Sequence, residues 1–563
     1  MSGRLQPLNL TDFTGGLNLR RSDFQLDDSE SPIMLNMEVD PRGGFYTRAG
    51  WERWNDDEAV ADPVADWRPR SASLHPYSSG EYAVFVSNDD KVWAAQPGDP
   101  WVDLGCVATA DPHLADVETW GDTTYIACGR ANPVRRVIGA PDAGNLGTNM
   151  TAAAAANWND DYTIPVGGVM PRAEHIEAHG GYVFVANTSE DGTSFRSRLR
   201  WSHPGTPEDW AELDFIDIEQ GGSQITGLMS FQDHLLIFKL DSMWALFGYD
   251  ADSWQLIKVS ASVGVTDPTS ITRSENAVYF YSSSGRNGIY SYQGGTPVDI
   301  GGKLREALDT FNPTDDVWLG WIGHRLWVST PYDPRPSDGS HGSVLIYDPE
   351  LYEGGMWIRH KPALGTIACI VQHSDIGAEY PMVVPCGCSG ISSTLLVDTH
   401  PDIAGDIMVT GEPAIGFDCR YRTGWKHAGW PELQKSWLRP RIVARVPQTP
   451  VVIRMGTYWN YDPNNERRNH GIPLTASDGL FWRDDGAADP GGWDWGDGSV
   501  WAAATQEGDT IVRSRPTSPT VIGSALGWAR AVQLEFAPED HTLGLAWGID
   551  AVILKYNARR FTT

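Results

Sequence analysis

One short pattern keeps returning between about residues 75 and 400, and it restricts the fold of this 563-residue chain more than any other feature. "VETWGDTTYIACG" starts at Val117, "IEAHGGYVFVAN" at Ile176 and "LMSFQDHLLIFK" at Leu228; "ITRSENAVYFYS" follows at Ile271 and "LGWIGHRLWVST" at Leu319. Each is a short alternating segment, a two-residue turn, and a strand rich in aromatic and β-branched residues. The turn pairs are Gly121-Asp122, Gly180-Gly181, Gln232-Asp233, Glu275-Asn276 and Gly323-His324. Several supply glycine, asparagine or aspartate, the residues that tolerate the positive φ of tight hairpin turns. An earlier copy stands in "SSGEYAVFVSNDDKVWAAQ", with turns expected at Ser79-Gly80 and Asp89-Asp90, and a degenerate last one in "IACIVQHSDIGAEYPMVVPCG". Further strands follow the hairpins, as in "RLRWSHP", "SMWALFGYD", "GIYSYQGG" and "SVLIYDPE".

Hairpins returning roughly every 40–60 residues, each followed by more strand, are the sequence form of propeller blades. The expected fold is therefore all-β: an irregular β-propeller of six or seven blades over residues 51–400. A β-sandwich with many hairpins is the competing reading of the same repeat. Helix is expected only as a connector, at "GKLREALDTF" from Gly302. Past residue 400 the strands lengthen and alternate, as in "KSWLRPRIVARV", "PVVIRMGTYWNYD" and "WGIDAVILKYNARRF". Residues 401–563 thus read as one antiparallel β-sandwich domain, interrupted by the acidic, tryptophan-rich loop "SDGLFWRDDGAADPGGWDWGDGSVW". Residues 1–50 hold glycine turns and little apolar periodicity, so they read as an arm laid along a blade or a neighbouring subunit.

Charge narrows the partners. With 73 acids against 43 bases the chain carries −30, which opposes nucleic-acid binding through a basic footprint. No run approaches the roughly 20 apolar residues of a membrane helix, and charges interrupt the N-terminal stretch, so neither membrane insertion nor a signal peptide is expected. Six cysteines are too few and too irregular for a disulfide scaffold, and Cys386 and Cys388 lack zinc-ligand spacing. Reduced thiols in a protein made in a cytoplasm are the expectation.

Motifs that would carry chemistry are scarce. There is no phosphate loop, no G-x-S-x-G, no H-E-x-x-H and no C-x-x-C. "SEDGTSF" from Ser189 has the look of a sialidase aspartate box, which is a structural turn. Asp214 with Asp217, or Asp315 with Asp316, are acid pairs of the kind glycosidases use, but acids abound here and solvated loops explain them. "DWGDGS" from Asp494 has part of a calcium loop's composition and lacks the closing glutamate. His175, His179, His324 and His360 fall in or beside strands, to be packed or exposed singly. Trp201, Trp210, Trp244, Trp318, Trp321 and Trp327 suit either a sugar-binding face or blade packing. No catalytic, cofactor or metal residue is assigned.

The N-terminal stretch "GGLNLRRSDFQLDDSESPIMLNMEVDPRGGFYTRAGW" resembles the start of phage tail-nozzle and related tail structural proteins. Its features are Gly15, Gly16, Leu17 and Asn18, a short helical turn with Leu26 and Glu30, then Asn36, Gly43, Gly44, Arg48 and Gly50. "SRLRWSHPGTPEDWAE" and "GGSQITGLMSFQDHLLIFKLDSMWALFG" are similar to that family's middle blades; "KSWLRPRIVAR" and "GIDAVILKYNARR" are similar to its C-terminal sandwich. The resemblance implies a non-enzymatic virion tail component without a cofactor. It implies a homo-hexameric ring below the portal and adaptor, docking tail fibres or spikes and gating DNA that passes without specific binding. The loop around Trp482, Trp493 and Trp495, where the sequence departs from the family, is a candidate gate. The alternative is a carbohydrate-binding or glycan-degrading propeller acting as a receptor-binding spike.

Overall fold

The computed structural model describes residues 6–558 apart from 54–68, 78–79, 88–90, 97–101, 107–114, 128, 132–133, 139–149, 153–170, 191, 220–221, 312–316, 331–341, 364–365, 371, 374–381, 387–395, 401–404, 407–414, 446–450, 475–479, 484–492, 495–499, 504–519, 522–525 and 541–545. The described chain is all-β and propeller-like. Among the described residues α-helix is confined to Arg305–Leu308, preceded by a 3-10 turn at Gly301–Leu304, where the connector was expected.

Four consecutive units are self-contained four-stranded antiparallel meanders. Unit 2 begins at Asp116–Trp120, unit 3 at Arg172–His179, unit 4 at Ile225–Phe231 and unit 5 at Ile271–Arg273. Three more sheets extend the series and accept strands from elsewhere. Unit 1 opens with Pro69–Tyr77, which also pairs in parallel with Gln372–His373. Unit 6 opens with Leu319–Ile322 and ends with Met356–His360. Unit 7 contains Thr366–Ile370, Met382–Cys386 and Leu396–His400, and takes its fourth strand from Gly50–Arg53. The first strand of each unit from 1 to 5 touches the first strand of the next, Arg325–Thr330 of unit 6 touches Thr366–Ile370 of unit 7, and Thr366–Ile370 returns to Pro69–Tyr77. The row of sheets therefore curls back on its own start.

The second strands show why a ring rather than a sandwich forms. In Tyr182–Glu190, Val183 and Val185 pack with Tyr125 and Ile176, while Tyr182, Phe184 and Ala186 pack with Leu228, Leu235 and Ile237. In the next unit Leu235 and Ile237 face back, and Leu236 and Phe238 face forward against Val278 and Phe280. Both faces of these sheets are buried at their second strands, so those strands read as unbroken apolar runs instead of alternating ones. A sandwich would leave one face to water. Each such side chain gains roughly 1.5–3 kcal/mol over its exposed state.

Four expected turns are two-residue loops: His179 pairs with Tyr182, Trp120 with Thr123, Phe231 with His234 and Ile322 with Arg325. Gly180 and Gly181 both take positive φ, at 58° and 88°. Two expectations shift. Arg273 pairs with Val278, so Glu275-Asn276 sits inside a four-residue loop closed by Ser274 on Ala277. Tyr77 pairs with Gly80, which moves that turn one residue earlier, to positions outside the described residues along with Asp89-Asp90.

The N-terminal segment departs most from expectation. Rather than lying wholly over a surface, it runs through the interior at residues 13–18 and over most of 30–50, with residues 19–29 left mostly exposed. Gln6–Leu10 pairs with the last strand, Gly548–Ala558. Ile33–Leu35 is inserted between Met356–His360 of unit 6 and Arg420–Arg422, making one nine-stranded sheet that continues through Val532–Pro538, Val451–Trp459 and Glu466–Leu474. The facing sheet contains Arg441–Ala444, Lys435–Trp437 and Gly548–Ala558, with the Phe45–Thr47 strand at its edge. Between them Phe45 stacks on Tyr421 at 4.1 Å, and Phe13 meets both rings edge-on. The expected helical turn near Glu30 is instead two hydrogen-bonded turns, Ser22–Gln25 and Asp27–Glu30.

Arg48 ties these parts together. It is 1% exposed, and its guanidinium donates to Asn36 Oδ1 (3.0 Å), Ala49 O (2.8 Å) and Lys361 O (3.0 Å). The same group lies 3.7 Å from the Phe417 ring centre and 4.1 Å from that of Trp51. Asn36, at φ 52°, donates to Asp418 O and accepts from Lys361 N. Gly16 is equally constrained, because a Cβ there would meet Met356 Cγ at 2.4 Å.

Arg48→Ala should lower stability by about 3–5 kcal/mol in urea unfolding, since it strands several buried acceptors; Arg48→Lys should recover less than half, lacking the planar fork. Removing residues 1–45 should prevent native folding of the C-terminal sheets; a truncated monomer with the parent's melting profile would contradict the pairing described. Replacing Gly180 and Gly181 together by valine should cost about 1–3 kcal/mol from positive-φ strain, and an unchanged melting temperature would mean the hairpin is wrongly registered.

Candidate functional site

The residues first singled out for chemistry do not converge. Asp217 is held by a bidentate pair with Arg198 (2.8 and 2.9 Å), and Glu190 is wedged between Arg198 and Arg200. These ions hold the long hairpin of unit 3 together. Asp315 and Asp316, residue 191 of the box-like stretch, and most of Asp494–Ser499 lie outside the described residues. Trp495 does too, and of Trp482 and Trp493 only the backbone is described, in a small sheet with Val500–Ala503. Among the six tryptophans considered for a sugar face, Trp210, Trp318 and Trp327 are buried, and Trp321 stacks on Tyr279 at 5.1 Å. Trp201 and Trp244 are half-buried between units 3 and 4, so the set is packing. His360 is buried against Glu38, whose carboxyl is pushed up by burial yet held down to about 2 by Arg325 and His360. His324 sits in an exposed turn. Cys419 is buried, and its thiol donates to Phe417 O (3.7 Å). Among the described residues no group of three or more metal-binding side chains occurs, and no helix is long and apolar enough to cross a membrane.

A different set does converge, at the turn ends of the first strands of units 2 to 5. A depression of about 650 Å3 opens there, lined by Glu118, Trp120, His179, Ser230, Tyr249 and Arg273 among others. Ser230 is its junction. Its backbone N–H donates to Glu177 (2.8 Å), its carbonyl accepts from Arg273 (3.0 Å), and its hydroxyl meets His179 Nδ1 (2.8 Å). The same device recurs around the inner strands: Asp116 accepts from Ile176 N, and Thr272 from Trp321 N. Side chains from one sheet thus satisfy backbone donors of the next, where strand ends would otherwise leave them open.

Burial sets the protonation here. It pushes Glu118 well up, and the neighbouring carboxylates of Glu177 and Asp116 push further, against Arg273. Glu177 is also raised, by burial first and then Asp116, with Arg273 and the Ser230 N–H opposing. Burial lowers His179 to about 4, helped by His234 and Arg273, so its imidazole is neutral at physiological pH. The cleft is thus polar without a large excess of charge.

Sequence reasoning singled out His179 but passed over Glu118, Glu177 and Arg273, although a signal was present for the two glutamates. Glu118 and Glu177 stand three positions before the turn in successive copies, "ETWGD" and "EAHGG", where later copies carry Met229, Thr272 and Gly320.

The fold defines the class: an all-β protein with a propeller-like ring and a strand-linked C-terminal sandwich. No family model matches the sequence, and no curated protein matches it. Among solved structures, BamB from Moraxella catarrhalis is similar at 12% identity and a TM-score of 0.35, covering 63% of this chain and 98% of that one. BBS1N, in a complex with ARL6DN, is similar at 11% identity and a TM-score of 0.36, covering 63% and 98%. PorZ of Porphyromonas gingivalis is similar at 10% identity and a TM-score of 0.33, covering 68% and 44%. Overlaps this partial say nothing about what the chain does.

Glu177 gives a pH test. A carboxyl raised to about 7 in the folded state costs stability as pH climbs from its unfolded value near 4.5 through 7, because the native state holds its proton longer. Glu177→Gln keeps an oxygen for the Ser230 N–H and removes the ionisation. Its stability should match the parent near pH 4 and exceed it by about 1–3 kcal/mol at pH 8. Parallel stability–pH curves for the two proteins would show that Glu177 ionises normally.

Proposed function

We propose that this chain is a non-enzymatic structural component of a phage tail. In this reading it is a nozzle-like subunit of a homo-hexameric ring below the portal and adaptor, with tail fibres or spikes on its flanks. DNA leaves along the axis without specific contacts. The observation that carries the reading is where the N-terminal motif residues lie. Gly16, Asn36 and Arg48, the residues of the tail-protein resemblance, sit at the junction of unit 6, unit 7 and the C-terminal sheets. A wall that contains packaged DNA must transmit load between its domains without a hinge. A nine-stranded sheet running from the ring into the sandwich provides that continuity.

Charge distribution supports the same reading. Residues 1–400 hold 54 acids against 26 bases, whereas residues 401–563 hold 19 against 17. An acidic ring region repels phosphates, so DNA slides instead of sticking. Holding DNA before release then falls to a steric gate.

Two measurements test this. Electron microscopy of the purified chain should show a six-fold ring with an open axial channel; a trimer with a lateral groove would favour a receptor-binding spike. In a gel-shift titration at about 50 mM salt, duplex DNA should not shift, because counterion release needs clustered bases. Micromolar, salt-sensitive binding would rule out a passive channel.

A further inference from the structure

The depression over units 2 to 5 has features that neither a ring wall nor a DNA channel requires. Tyr249 is the clearest. It is 89% exposed, yet the loop that carries it is tightly built. Ser253 Oγ accepts from the backbone N–H of both Tyr249 and Asp250 (3.1 Å each), and Ser253 N–H donates to Asp250 Oδ1 (2.9 Å). Trp254, at the loop's far end, is anchored among Tyr182, Phe184 and Trp201. The loop is held in place while its aromatic ring stands in water. The ring is thus presented at the edge of a concave site that combines aromatic and polar side chains, the kind of place where small molecules bind.

Trp120, half-buried against unit 3, contributes a second aromatic side chain to the lining. Between the two lie Glu118, His179 and Arg273, which together offer hydrogen-bond donors and acceptors. We infer that this depression binds a neutral saccharide, whose apolar ring face stacks on Tyr249 and whose hydroxyls bond to Glu118, His179 and Arg273.

Three considerations select that class. Sugar hydroxyls both donate and accept, so they need a mixed lining of the kind present, and one apolar ring face suits an aromatic platform. The single guanidinium faces Glu118 and Glu177, Asp116 lies beside those two carboxyls, and Asp233 stands at the rim, so no net positive charge is left to hold a phosphate or an acidic sugar. The volume of about 650 Å3 lies in the usual range for small-ligand clefts and exceeds what one water cluster needs. The inference stands on the cleft alone and does not depend on the tail reading: ring images that fail to show six-fold symmetry would leave it untouched.

The test is saturation-transfer NMR on the full chain with glucose, galactose and N-acetylglucosamine, each at about 20 mM to reach weak, millimolar affinities. At least one should receive saturation. In Tyr249→Ala, where an exposed side chain is removed and the melting temperature should not move, its binding should weaken about three- to tenfold, the range for losing one stacked aromatic. Arg273→Gln provides a second arm, weakening the same sugar through lost hydroxyl contacts. Glucuronic acid should bind no better than glucose. The inference is overturned if none of the three sugars is saturated, if Tyr249→Ala binds like the parent, or if glucuronic acid is preferred.

Discussion

The buried guanidinium of Arg48 is the contact on which the rest of the molecule depends. Three oxygens accept from it, and two aromatic faces cover it. An arginine taken out of water is costly unless every donor finds a partner and the cation meets π-density. Both conditions hold only when Asn36, Lys361 and Phe417 are simultaneously in place. Those residues belong to the N-terminal segment, the strand end of unit 6 and the C-terminal domain. The arginine is therefore satisfied only in the complete fold, and this couples parts of the chain more than 300 positions apart in sequence.

From that junction the segment reaches outward in both directions. Its strands close unit 7 on one side and build part of the sandwich core on the other, where Phe13 and Phe45 pack against Tyr421 and Phe536. Within the ring, apolar burial on both faces of each sheet supplies cohesion, and the side-chain bonds across inner strands supply register. These two terms act differently. Burial is non-directional and tolerates sliding, whereas a carboxylate accepting a specific N–H, as Glu177 does from Ser230, fixes one sheet against the next. Glu177, which performs this task at unit 3, is also a group whose ionisation burial disfavours.

This division bears on function. The residues of the N-terminal motif are held by packing and by hydrogen bonds that reach unit 6 and the C-terminal domain, which suits the load-transmitting role proposed above. Polar groups gather instead around Ser230, at one end of the ring's inner strands, beside an aromatic side chain held in solvent. The N-terminal junction and the proposed binding cleft thus occupy separate parts of the chain.

Local chemistry was enough to read the ring. Turn pairs such as Gly180-Gly181, set before apolar strands such as "YVFVAN", dictate hairpins wherever they occur, because positive φ and two-faced burial leave few other conformations. The switch to longer, alternating strands after residue 400 likewise marks a sheet with one face covered. What tertiary structure alone decided is the path of residues 6–53. Their short strands carry almost no periodic signal, since two to five residues cannot display one, and apart from two local pairings their partners lie hundreds of positions away. The cleft around Ser230 was hidden for the same reason. Its lining comes from four sheets at once, and Glu118 or Arg273 becomes distinctive only when the ring brings their strand ends together and burial removes the water that would otherwise make each an ordinary surface charge.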